Sequence, residues 1–141
     1  MSSTPEAAPD EAVVEVFADI TCPFTHVGLK RVIAHVEELA DPPTVRVRAW
    51  PLEWVNGSGL EADAVQLKAT LLTDQLGVDD FHGFNSKCWP SSTLHALELS
   101  AVAYESGPAV GLAVSLDVRA ALFEQGLDVG DRNVLADIAE R

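Results

Sequence analysis

The residues best placed for chemistry fall within five positions, Cys22-Pro23-Phe24-Thr25-His26, where an apolar run ends and a helical pattern begins. A cysteine at a helix start faces unpaired backbone N–H groups and the positive end of the helix dipole, which favour thiolate over thiol. Cysteines so placed can have pKa values lowered from about 8.5 to between about 3.5 and 7.5, which makes the nucleophile abundant at neutral pH. Pro23 suits the first helical turn, because it lacks the donor that would be orphaned there and its φ is already helical. Thr25, three residues on, can donate its hydroxyl to the sulfur. His26 can add a donor or a positive charge, or it can simply face solvent from the helix. Asp19, three residues before the sulfur, either serves that site as a proton-handling or orienting carboxylate or caps the turn.

The elements that must position these groups are legible on both sides. Val13 to Ala18 is a Val/Phe-rich run interrupted by Glu15, which suits a strand covered on both faces. From Phe24 to about Leu39, Leu29, Val32, Ile33, Val36 and Leu39 recur at helical spacing, until Asp41-Pro42-Pro43 stops the helix. Val45 to Trp50 alternates as a second strand, giving a βαβ unit with parallel strands. Leu52 to Gly59 reads as a loop, and everything after it as helix. One helix spans Glu61 to Leu76, stopped by Gly77. A connector, Val78 to Pro90, holds Phe81, Phe84 and Trp89. A second helix runs from a Ser91 or Ser92 cap to about Glu105, a third from about Ala109 to Gln125, and the last from near Asp131.

The segment Val14-Glu15-Val16-Phe17-Ala18-Asp19-Ile20-Thr21-Cys22-Pro23-Phe24-Thr25-His26-Val27-Gly28 resembles the active-site strand and helix of DsbA-like oxidoreductases of the thioredoxin superfamily, in their cytoplasmic branch. In that branch a helical insertion follows the first βαβ unit, matching the change of character after Trp54, and Ala120 to Val129 resembles the insertion's end. The resemblance implies an α/β fold: a disordered leader over 1–11, the N-terminal half of a thioredoxin-like domain over 12–54, and a helical insertion domain over 58–141. It implies a thiol oxidoreductase with Cys22, Pro23, Thr25 and His26 as catalytic residues. Glutathione would be the cosubstrate; Trp54 and Asn56, in the loop after the second strand, are either its contacts or ordinary loop-packing and turn residues. The family's oxidoreductases use two thiols in this motif, whereas Thr25 cannot form a disulfide, so the chemistry narrows to one thiol. Related 2-hydroxychromene-2-carboxylate isomerases and kappa-class glutathione transferases offer an alternative, in which the site activates glutathione without redox turnover. A third reading is a non-catalytic binding module. The family continues with further strands that open on a cis proline facing the sulfur; none follows the insertion here. Two strands alone would leave an unpaired edge, so the expectation is a shortened chain or a sheet completed by a second copy in a homodimer.

Composition limits the alternatives. The 141 residues suit one soluble domain, and the net charge of −13 disfavours nucleic acid, while leaving room for a small anionic ligand at a local site. No apolar run approaches membrane-spanning length, and no signal-peptide pattern opens the chain, which points to the cytoplasm. Cys88, in an aromatic-rich connector, reads as a packing residue, with an out-of-motif resolving thiol as the alternative. Neither the cysteines nor the four histidines show ligand spacing, so no metal is expected.

Overall fold

The computed structural model describes residues 12–141; the expected leader over 1–11 lies outside them. The chain is mixed α/β. Strand β1 (Val13–Ala18) leads through helix α1 (Pro23–Glu37) to strand β2 (Thr44–Ala49). The short helix α2 (Leu52–Val55) and the longer α3 (Ala62–Leu76), α4 (Leu94–Ala103), α5 (Pro108–Phe123) and α6 (Arg132–Ala139) follow. Local signals account for most boundaries. Gly77 ends α3 in the left-handed region at φ 65°, and Asp131 caps α6 by accepting from the Asn133 N–H at 2.8 Å. Helix α2 replaces the expected loop: a single turn forms after Pro51, whose carbonyl accepts from the Trp54 and Val55 N–H groups.

The two strands pair in parallel, Val13 opposite Thr44 through Ala18 opposite Ala49. Bonds from Thr44 N to the Ala12 carbonyl and from Trp50 N to the Ala18 carbonyl bracket the ladder. The even-numbered residues of β1 therefore bond to β2, and Val13, Glu15 and Phe17 direct their backbone groups to the outer edge. On β2 the corresponding edge is partly capped, since Val47 N donates to the Tyr104 hydroxyl at 2.8 Å.

One expectation fails at β1. Val13, Val14 and Phe17 are exposed, Phe17 at 58%, so the strand is not covered on both faces. Among the described residues no third strand lies along its edge, and Phe17 meets only the Trp50 ring, edge to face at 6.5 Å.

The main core forms where α1, α3, α4, α5 and α6 meet. Ile20 and Val27 join Val65, Leu97, Val118, Leu122, Phe123 and Ile138 in one cluster, so the strand-to-helix turn is seated on the later helices. Each such side chain, fully buried, contributes about 1.5–3 kcal/mol. A smaller cluster of Ala18, Leu29 and Val47, with Leu112 and Leu116 packed against it, fixes the sheet. No helix among the described residues is long and apolar enough to cross a membrane.

Candidate functional site

Cys22 occupies the N-cap of α1 with extended backbone (φ −80°, ψ 112°), and its carbonyl accepts the first helical bond, from His26 N at 3.2 Å. Pro23 follows, buried, in the first turn as expected. Because proline has no N–H, the groups without helical acceptors at this end are those of Phe24 and Thr25. The sulfur is half-buried and free, and it caps none of these groups. Thr25 is half-buried one turn on, but its hydroxyl makes no hydrogen bond to the sulfur.

What holds the turn is Asp19, 3% exposed. Its Oδ1 accepts from Thr21 N (3.1 Å), Thr21 Oγ1 (3.2 Å) and Thr93 Oγ1 (3.0 Å), and its Oδ2 accepts from Leu52 N at 2.7 Å. The end of β1, the entry to α2 and the start of α4 are thereby tied to one carboxylate. Of the two roles open to Asp19, this geometry is the cap, extended across three elements.

Below the turn lies a residue that the sequence reading passed over. Arg119 of α5 is 1% exposed; its Nη1 donates to the Ser115 carbonyl at 2.9 Å and its Nη2 reaches the Asp19 carbonyl at 3.4 Å. Burial pushes its pKa down to about 10 despite the attraction of Asp19, Tyr104 and Cys22, so the guanidinium stays charged at neutral pH. A fixed positive charge thus sits against the Asp19 carbonyl, three residues before Cys22. A signal for it existed: Gly111, Ser115, Arg119 and Leu122 share the buried stripe of α5 at helical spacing.

His26 departs from both sequence options. It is 2% exposed, so it does not face solvent, and it is engaged away from the sulfur. Its ring stacks on Phe123 (centroids 5.1 Å apart) and meets Phe81 edge-on at 5.7 Å. Its Nε2 lies 3.2 Å from the Asp80 carbonyl and 3.1 Å from Glu124 Oε2. Both neighbours are acceptors, so Nε2 carries the hydrogen. Burial holds the ring's pKa below its usual value, outweighing the upward pull of Glu124, and the ring is neutral near pH 7. Lys30, one turn on, places Nζ 2.6 Å from Asp80 Oδ1 and 2.9 Å from Glu124 Oε2. The Glu124 contacts are held by charge and proximity more than by aligned hydrogen bonds. Although burial opposes it, the hydrogen bond to Asp80 and the negative charges of Asp80 and Glu124 raise the Lys30 pKa. His26, Asp80 and Glu124 bring ligand atoms within 4.8 Å of one another, a grouping that could hold a metal ion. The Lys30 ammonium already supplies the positive charge there, and the grouping reads as a closed ion network that docks α1 onto the end of α5.

A cavity of about 350 Å³ opens beside the turn, lined by Asp19, Thr21, Glu53, Glu61, Trp89 and Ser92 among others. Glu53 is part of its frame, accepting from Ser92 Oγ at 2.9 Å and Thr93 N at 3.1 Å. Trp54 and Asn56, the expected ligand contacts, are exposed and do not line it; Trp54 is 71% exposed. Trp89 does, anchored by its indole N–H on the Leu60 carbonyl at 2.8 Å. Cys88 is a free thiol that accepts from Asn85 Nδ2 at 3.3 Å.

No protein-family model matches this chain, and no curated protein matches it.

Proposed function

We propose that this chain is a DsbA-like protein of the thioredoxin superfamily that works through the single thiol of Cys22, with glutathione as its cosubstrate, in the cytoplasm. The observation that carries the reading is the seat of Cys22, at a strand-to-helix turn with Pro23 in the first helical turn and the Arg119 charge beneath. In the proposed step, the Cys22 thiolate attacks one sulfur of oxidised glutathione. A bond forms between Cys22 and that sulfur, the glutathione S–S bond breaks, and the other glutathione leaves as a thiolate. A second thiolate then attacks the glutathionyl sulfur and returns Cys22 to its starting form. Thr25 cannot intercept the mixed disulfide, so it persists until an outside thiol arrives.

The cavity beside Thr21 suits part of the tripeptide. Glu53 and Glu61 of its wall complement the ammonium, and the helix start at Phe24 and Thr25, outside the cavity lining, complements a carboxylate. Thr25 in place of a second thiol also supports the alternative, in which the site binds and activates reduced glutathione as an isomerase or transferase does.

Intact-mass measurement after incubation with oxidised glutathione tests the reading. One glutathionyl adduct is expected, mapped to Cys22, absent from Cys22→Ser and retained in Cys88→Ser. An unmodified chain, or an adduct confined to Cys88, would exclude the redox reading. Protection of Cys22 by reduced glutathione without any adduct would favour the isomerase or transferase reading.

A further inference from the structure

A second cavity, of about 520 Å³, lies between the outer edge of β2 and helices α4 and α5. Three of the chain's six arginines, Arg46, Arg48 and Arg119, line it, although the chain carries a net charge of −13. Their bonding is also incomplete. Arg119 is 1% exposed and its Nε is buried with no hydrogen-bond partner; the Nε of Arg48 is likewise buried and unpartnered, although its Nη2 is already paired with Glu15 Oε1 at 3.0 Å. A buried unpaired donor on a charged group is costly, and a bound acceptor removes that cost. Arg46 lies over the Tyr104 ring, 5.3 Å from its centroid, which orients its guanidinium beside the cavity. The Tyr104 hydroxyl accepts from Val47 N, which leaves its own hydrogen to donate. Opposing these donors is one carboxylate of the lining, the exposed Glu105. The remaining wall is mostly apolar, with Val47, Ala49, Leu97 and Ala101, and its Ser100 and Ser115 hydroxyls donate to carbonyls of their own helices.

We propose that this cavity binds a small molecule with an apolar body and one carboxylate or phosphate group, the anion held by the arginines and the body by the apolar wall. Arginine forks match both anions. Arg119 is shared with the thiol reading, but no residue of the Cys22 turn itself lines the cavity.

The test is an NMR titration of the full chain, reading the arginine Nε–H resonances. Benzoate and phenyl phosphate serve as anionic probes and benzyl alcohol as the neutral one. Saturable shifts at Arg119 and Arg48 are expected with at least one anion and not with benzyl alcohol; the stronger of the two identifies the anion class. Arg46→Gln, on a partly exposed side chain, is expected to weaken binding about tenfold. Ala101→Trp, which fills the cavity from an exposed helix position, is expected to abolish binding, while Cys22→Ser leaves it unchanged. The proposal is overturned if neither anion gives a saturable shift, if benzyl alcohol binds as well, or if folded Arg46→Gln and Ala101→Trp both bind normally.

Discussion

Asp19→Ala is expected to cost about 3–5 kcal/mol of folding free energy, enough to lower the melting temperature by on the order of 10 °C. The substitution strands four donors at once, Thr21 N, Thr21 Oγ1, Thr93 Oγ1 and Leu52 N, three of them on Thr21 and Thr93, which are at most 5% exposed. It also removes the negative charge that helps hold the Arg119 guanidinium in a buried position. Asp19→Asn keeps the shape and one accepting oxygen, and should fall between the wild type and the alanine variant. Urea denaturation of the three proteins measures both losses. A cost below about 1 kcal/mol for Asp19→Ala would mean that the carboxylate is not the tie between β1, α2 and α4 described above.

Gly83→Ala is expected to destabilise by about 1–3 kcal/mol although it adds a single methyl group. A Cβ at Gly83 falls on the backbone carbonyl of Glu124, and backbone cannot swing aside as a side chain can. Gly126 stands on the other side of the same crossing, at φ 68°, where a Cβ would meet the Gly83 carbonyl. The connector and the end of α5 touch main chain to main chain there. Moving one displaces Glu124 from Lys30 and His26. Thermal melts of the variant should show the loss. Melting within about 2 °C of wild type would show that the crossing has slack.

Much of this arrangement was legible in the sequence because its signals are local. The period of Val45 to Trp50, the helical spacing after Phe24, the stop at Gly77 and the Asp131 cap each depend on a few neighbouring residues, and each falls within about two positions of the observed element. What was not legible depends on partners distant in the chain. His26 looks like a helix-surface residue until Phe81, Phe123 and Glu124 close over it. Asp19 and Thr93 are 74 residues apart, and nothing in either neighbourhood announces their bond. Trp54 and Asn56 sit in the loop after the second strand, where sequence alone admits a ligand contact or loop packing. The turn of α2 leaves them outside the cavity, and Glu53 is the residue of that turn that enters its wall. Arg119 is an intermediate case. The helical stripe placed it among buried residues, but an arginine on an apolar stripe is expected to extend toward water, and here the carbonyls of Ser115 and Asp19 hold it inside.

The chemical role assigned to Cys22 rests on its being the more reactive of two free thiols for reasons of position. Alkylation by iodoacetamide, followed residue by residue with peptide mass mapping at neutral pH, compares both in one sample. Cys22 is expected to react at least tenfold faster than Cys88, and reduced glutathione, which consumes reagent and slows both thiols in common, is expected to lower the ratio of the Cys22 rate to the Cys88 rate. Equal rates at the two cysteines, or a ratio indifferent to glutathione, would contradict the role assigned to Cys22.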